Sequence, residues 1–289
     1  MNKLVCFGLG YSAQVLARRL ADKGWQVFGT TRSEEHVRKL REEGFEAALF
    51  SGDAASAEAS DALASATHVL VSIAPEAEGD VVLAHHGDDL AAAPALQWIG
   101  YLSTVGVYGD HGGAWVDEDT SLNPKSERSR LRVAAEKAWI EFGEKTGKDV
   151  QLFRLAGIYG PGRGPLENVR QGKGRRIVKK AQLFNRIHVE DIANVLEASI
   201  AAPRAGAIYN VSDDEPAPPQ DVVTYAAGLL GVELPREVAF EDADLSPMGR
   251  SFYSENKRVS NARIREELGV KLAHPTYREG MRSLAEAVK

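Results

Sequence analysis

Residues 4–32, LVCFGLGYSAQVLARRLADKGWQVFGTTR, restrict the possible folds of this chain more than any other segment. Residues 4–7 are a short apolar run without helical spacing, so they read as a strand. The run ends in Gly8-Leu9-Gly10-Tyr11-Ser12-Ala13, a G-x-G-x-x-A turn. Apolar residues then recur at Ala13, Leu16, Ala17, Leu20 and Ala21, the stripe of a helix buried along one side, and Gly24 supplies the stop. Residues 26–31 read as a second strand, which completes a strand, turn, helix, strand unit.

The small residues of the turn have one use in common, which is to let an anion reach the backbone. Gly8 allows the tight bend, Gly10 removes the side chain that would hold off a pyrophosphate, and Ala13 lets the helix sit close to the strand. The first helical turn, Tyr11-Ser12-Ala13, then presents backbone N–H groups to the phosphates. A dinucleotide site is the reading this context favours; a strand-to-helix turn that binds nothing is the alternative. An NAD site usually places Asp or Glu about 20 residues beyond the glycines, on the ribose 2′-hydroxyl. Here Thr30-Thr31-Arg32-Ser33 stands in that place. No acid repels a phosphate there, and Arg32 with Ser33 can grip one, so NADP is favoured and NAD remains open.

A chain of 289 residues is long enough to bury a sizeable core as one large domain or two joined ones. Its net charge of −6 argues against a general nucleic-acid binder, which relies on basic excess. The one cysteine, Cys6, falls inside the first strand, and no Cys/His cluster has metal-ligand spacing, so no metal is expected. No apolar run approaches the length of a membrane span, and the chain starts directly on its first strand without a secretory signal. A cytoplasmic protein with no membrane partner is the expectation.

Strands and helices alternate onward, as a parallel sheet requires. Helices are expected at 34–41, 61–66, 81–93, 127–146, 189–201, 220–230, 261–268 and 276–288. Strands are expected at 45–50, 68–73, 98–103, 150–155, 207–211 and near 257–259. Asp53 falls just past the third strand, where it either touches the adenine end of a cofactor or serves as a turn or cap. His85 and His86, adjacent and hence on different helix faces, read as partly exposed residues. Residues 157–186 read as an irregular insertion with eight cations, Arg163 and Arg186 among them, against Glu167 alone.

Four ordered motifs now stand together: the glycine turn, YLSTVGVYG at 101–109, RLAGIYGPGR at 154–163 and RIHVEDIA at 186–193. Over residues 4–212 they resemble the extended short-chain dehydrogenase/reductases, the epimerase and dehydratase group. The resemblance implies an α/β chain: a Rossmann-type doubly wound parallel sheet with a small C-terminal substrate domain. Residues 1–160 and 187–232 would form the NAD(P)-binding domain, and 161–186 and 233–289 the substrate domain. The cofactor would lie near Gly8, Gly10, Tyr11, Ser12, Ala13, Thr31, Arg32, Ser33, Asp53, Ser72, Ala74, Pro75 and Ser103, with Tyr159 near the nicotinamide. Two departures stand out. Phe7 occupies the place of the family's first glycine. The family's Tyr-x-x-x-Lys pair is absent: with the following glutamate aligned on Glu136, Arg132 takes the lysine place and Arg128 the tyrosine place.

A guanidinium does not release a proton in proteins, so Arg128 cannot act as that tyrosine. Candidate substitutes are Thr104, which can hydrogen-bond a carbonyl, Tyr108, whose phenol can exchange a proton, and Arg128, which can hold an oxyanion as a fixed charge. Arg163, Arg186 and His188 are substrate-binding candidates, His188 more as a structural hydrogen-bonding residue than as a base. The expectation is an NAD(P)-dependent oxidoreductase or epimerase acting on a small polar substrate that carries phosphate or carboxylate, as a monomer or homodimer. The competing reading is a non-catalytic NADP(H) sensor.

Overall fold

One-sided helices must bury their apolar stripes against something, and here they cover a layer of short apolar strands. The computed structural model describes residues 1–287. In chain order come β1 (Lys3–Phe7), α1 (Tyr11–Asp22), β2 (Gln26–Thr31), α2 (Glu34–Glu42), β3 (Glu46–Leu49), α3 (Ala57–Leu63), β4 (His68–Val71), α4 (Val81–Ala92) and β5 (Trp98–Thr104). Next are β6 (Trp115–Val116), α5 (Glu127–Thr146), β7 (Val150–Leu155), β8 (Gly157–Tyr159), α6 (Pro165–Arg170), β9 (Arg176–Val178), β10 (Arg186–His188), α7 (Val189–Ala201) and β11 (Ile208–Val211). The chain ends with α8 (Pro219–Leu230), β12 (Glu237–Ala239), α9 (Pro247–Phe252), β13 (Arg258–Val259), α10 (Ala262–Glu266) and α11 (Tyr277–Glu286).

The main sheet has seven parallel strands in the order β3-β2-β1-β4-β5-β7-β11. Winding reverses at β1, which pairs with β2 on one side and β4 on the other, and ligands of such sheets bind beyond the strand ends at that switch point. Phe7 lies opposite Val71, and Val71 opposite Tyr101, so Gly8, Ser72 and the Leu102-Ser103 end of β5 lie along one edge of the sheet.

Two compact units divide the chain. The first comprises Met1–Ser103, Arg130–Arg154 and Leu196–Tyr209. One face of its sheet packs a core that includes Phe7, Tyr101, Trp139 and Leu152, all fully or almost fully buried. The second comprises Thr104–Ser129, Leu155–Val195 and the described chain from Asn210 on. Its core packs Tyr159 and Leu166 against Val222, Tyr277 and Met281.

Several expectations need correction. Residues 157–186 are not irregular: β8 pairs with β10 and β9 with β12, both parallel. Three-residue strands without local periodicity form only because distant segments pair with them. The helix expected at 61–66 begins earlier, since Ser56 accepts from Ala59 N–H at 3.4 Å and caps Ala57–Leu63. His86 is buried, 1% exposed, not partly exposed. Its Nε2 accepts from Ser56 N–H at 3.2 Å, and its ring packs on Phe7 and Phe50. The expected end of the last helix, Val288, lies outside the described residues.

Candidate nucleotide and substrate sites

The turn after β1 has the form its sequence calls for. Gly8 sits at φ +85°, and a Cβ there would meet Ser72 Oγ at 2.8 Å and Ile73 Cγ1 at 3.0 Å, so only glycine fits. Its N–H donates to Thr30 Oγ1 at 3.0 Å and its carbonyl accepts from the Ser72 hydroxyl, which locks the turn to β2 and β4. Gly10 differs. It has φ −96°, open to any residue, and a Cβ would meet nothing nearer than Gly8 O at 4.0 Å. The space above Gly10 is therefore not filled by the protein.

The helix behind that space is uncapped. Ser33, Ser56 and Asp80 cap α2, α3 and α4 through their side chains, whereas Gly10 gives α1 no side-chain cap. The start of α1 carries the partial positive charge of a helix N-terminus, which favours an anion. Ser12 and Ala13 are buried in the helix start, and Ala13 lets it sit close. At the end of β2, Thr31 is half-buried and Arg32 exposed, with no partner for its guanidinium among the described residues. Ser33 is engaged as the cap of α2, accepting from His36 N–H at 3.2 Å, and its hydroxyl also bonds His36 Nδ1. Asp53 is an exposed turn residue that accepts from Ser51 Oγ at 2.7 Å. Ala74 and Pro75 follow β4 in the loop beside Ser72.

At the end of β5, Ser103 is buried and donates its hydroxyl to Glu136 Oε1 at 2.5 Å. Glu136, on α5, is held in turn by Arg154 of β7, whose Nη2 lies 2.8 Å from Oε2. Both charges are almost fully buried, 3% exposed each, so each depends on the other for its solvation. This triad was missed in the sequence. An arginine inside the apolar strand VQLFRL was its signal, because a buried guanidinium needs a carboxylate. Arg132 donates through Nη1 to Tyr101 Oη at 2.9 Å, Leu102 O at 2.8 Å and Ile73 O at 3.4 Å, which ties the carboxyl ends of β4 and β5 together.

The remaining candidates belong to the second unit. Thr104 Oγ1 accepts from Gly106 N–H at 3.1 Å and so caps the turn at Val105–Tyr108. Tyr108 is fully buried and donates its phenol to Asn210 Oδ1 at 2.7 Å. That geometry corrects the reading of an exchangeable phenol, since the proton is held inside the core. Arg128 is exposed, its guanidinium 4.9 Å from the Phe252 ring centroid. Tyr159, expected at the nicotinamide, is 2% exposed, and burial raises its phenol above the ordinary value. Arg163 is exposed, and its backbone pairs with that of Gly160.

Arg186, expected at a cleft edge, is 7% exposed and donates through Nη1 to Phe184 O at 2.9 Å and Ala217 O at 3.3 Å. His188 is also buried; its Nδ1 accepts from Glu190 N–H at 3.2 Å, and burial, with His274 adding to it, lowers its pKa to about 3. The basic insertion is not an unopposed field either. Arg170 pairs with Glu167 at 3.2 Å and Arg176 with Glu237 at 3.1 Å, while Arg175 donates to Asp244 O and Lys179 to Tyr253 O. The acceptors come largely from residues 237–253, too distant in sequence to be seen as partners.

Residues 5–212 match the NAD dependent epimerase/dehydratase family. The chain belongs to that family. Among curated proteins, this family member is similar to Protein YeeZ of Escherichia coli K12, at 30% identity over 95% of this chain and 97% of that one. Among solved structures, a functionally unknown conserved protein from Silicibacter pomeroyi is 52% identical, covering 99% of both chains, with a TM-score of 0.91. A dTDP-glucose 4,6-dehydratase of Bacillus anthracis, solved with NAD, shares the fold at 15% identity, covering 99% of this chain and 96% of that one, with a TM-score of 0.79. Among the described residues, no helix is long and apolar enough to cross a membrane, and no group of three or more His, Cys, Asp or Glu is placed to hold a metal.

Proposed function

We propose that this epimerase/dehydratase family member binds NADP(H) at the β1–α1 turn and serves as an oxidoreductase or epimerase for a small polar, anionic substrate. One observation carries the cofactor reading: an uncapped α1 lies behind the open space at Gly10, and an unpartnered Arg32 stands where an NAD site would place an acid. In this reading the N–H groups of Tyr11, Ser12 and Ala13 hold the pyrophosphate, and Arg32, with Thr31 and Ser33, holds the 2′-phosphate. Asp53 faces the adenosine, and Ser72, Ala74, Pro75 and Ser103 line the strand ends. The bound nicotinamide would supply or take up a hydride.

The substrate's charge would be met by Arg163, Arg186 and His188, with Tyr159 beside them, in a domain built from residues 161–186 and 233–289. Thr104 would donate or accept a hydrogen bond at a substrate carbonyl, and Arg128 would stabilise an oxyanion as a fixed cation. A protein acting in the cytoplasm as monomer or homodimer accords with this reading.

The second reading, an NADP(H) sensor without turnover, draws on α5. Its two arginines at 128 and 132 cannot exchange a proton near neutral pH, and Tyr108 holds its own proton on Asn210. Calorimetric titration with NADPH and NADH tests the cofactor. Arg32→Ala should cost NADPH roughly ten- to a hundredfold in affinity, one charge-assisted hydrogen bond, and leave NADH unchanged. Equal affinities for the two nucleotides in the wild type would overturn the NADP assignment. NADPH oxidation across carbonyl compounds and sugar nucleotides then separates enzyme from sensor.

A further inference from the structure

Within the second unit, two opposite formal charges share one buried region without touching. Arg186 uses Nη1 on two main-chain carbonyls and lies 5.9 Å from the Tyr277 ring centroid, and its remaining guanidinium N–H groups have no hydrogen-bond partner among the described residues. Asp213 is 1% exposed; its N–H donates to Arg186 O at 2.7 Å, so the two residues are backbone neighbours. Its Oδ1 accepts from Glu215 N–H at 3.2 Å, while Oδ2 is sealed from solvent with no hydrogen-bond partner. No ion pair joins it to Arg186. On β10, His188 lies two residues from Arg186 and so projects to the same side. Because its Nδ1 accepts from Glu190 N–H, its proton sits on Nε2, which is buried and also unpartnered. The Tyr159 ring stands edge-on to His188 at 5.1 Å.

Two buried, unsatisfied polar atoms beside one guanidinium need an explanation, because a polar atom sealed in the interior with nothing to meet it is costly. We infer that Arg186, the Nε2–H of His188 and the carboxyl of Asp213 form an internal subsite for a single carboxylate group, with Asp213 serving as a hydrogen-bond donor in its protonated form. This rests on the reading of an anionic substrate and narrows it to a monoanion. The charge count decides the class. With Asp213 neutral, Arg186 supplies one uncompensated positive charge, which one carboxylate balances and a dianionic phosphate does not.

The surroundings agree. Burial pushes Asp213's carboxyl up to about 8, against the opposing pull of Arg186, and Asp214 and Glu215 push it the same way as burial. Burial raises the phenols of Tyr159, Tyr253 and Tyr277, and His188 is neutral with a pKa lowered to about 3. Asp214 and Glu215 are engaged by Arg265 and Arg278. His274 packs on the His188 ring at 4.0 Å and is the one further imidazole to be controlled for.

The test uses the full chain with and without NADPH, and carbon-13 acetate as the probe, followed by line broadening between pH 6 and 9.5. Acetate should bind at pH 6–7 and weaken about tenfold per pH unit above pH 8, because binding then requires uptake of one proton. Asp213→Asn, neutral at every pH and still a donor, should keep the affinity and lose the pH dependence. Arg186→Gln should abolish binding, with circular dichroism confirming the fold. No broadening in the wild type, broadening that survives Arg186→Gln, or an unchanged pH profile in Asp213→Asn would overturn the subsite. Displacement of acetate by inorganic phosphate at lower concentration would overturn the choice of carboxylate. NADPH affinity measured in parallel keeps the two readings apart: a protein that binds NADPH but not acetate loses only the subsite, and the reverse result loses only the cofactor assignment.

Discussion

Gly8 and Gly10 stand two residues apart in the same turn, and the structure separates their roles sharply enough to predict opposite outcomes. Gly10→Ser places a side chain where the nearest protein atom to a Cβ is Gly8 O at 4.0 Å, at a φ of −96° that serine adopts freely. The hydroxyl would supply the side-chain cap that α1 lacks. Serine exceeds glycine at such a position by a few tenths of a kcal/mol, so the variant should melt at or slightly above the wild-type temperature. It should nonetheless bind NADPH more weakly. In the proposed site the new hydroxyl would occupy the pyrophosphate's space and compete for a helix-start N–H, and a hydrogen bond to a charged group contributes about 1.5–3 kcal/mol, roughly ten- to a hundredfold. Gly8→Ala is the contrasting control. Its Cβ would meet Ser72 Oγ at 2.8 Å at a φ of +85°, so it should lose about 1–3 kcal/mol of stability. Thermal melts without ligand, paired with calorimetric titration of NADPH, read both effects. A folded Gly10→Ser protein that binds NADPH as the wild type does would refute the reasoning, as would a Gly10→Ser protein destabilised as much as Gly8→Ala.

Three further outcomes follow from buried groups. Arg154→Met should cost about 3–5 kcal/mol in urea unfolding, because it leaves the Glu136 carboxylate buried with only the Ser103 hydroxyl, and a cost under about 1 kcal/mol would contradict the pairing. Tyr108→Phe should lower stability by about 1–3 kcal/mol through the unsatisfied Asn210 Oδ1, yet leave any NADPH oxidation found in the substrate screen at its wild-type rate. A hundredfold loss of rate in a folded Tyr108→Phe protein would return the phenol to an acid/base role. Burial lowers His68 to about 4 and His188 to about 3, below the ordinary imidazole value, so the unfolded chain binds more protons at mildly acid pH. Stability should therefore fall as the pH drops from about 6.5 toward 4, and a melting temperature constant over that window would count against neutral burial of these rings.

The parts of this protein legible in the amino-acid sequence are those whose causes are local. The strand, glycine turn and helix of residues 4–22 follow from a period of apolar residues and from the absence of side chains at positions 8 and 10. Helix α5 and strand β7 were likewise bounded by their own periodicity and termini. What required the tertiary structure is every feature whose partner lies far along the chain. The strands β8, β9 and β10 have no periodicity of their own and form by pairing with each other or with β12. Cations of the 163–186 segment that seemed unopposed meet acceptors from residues 237–253, and Arg186, which looked like an edge residue, is inside. Burial and charge pairing depend on distances through space, and a sequence specifies those only after folding has brought segments separated by tens of residues into contact.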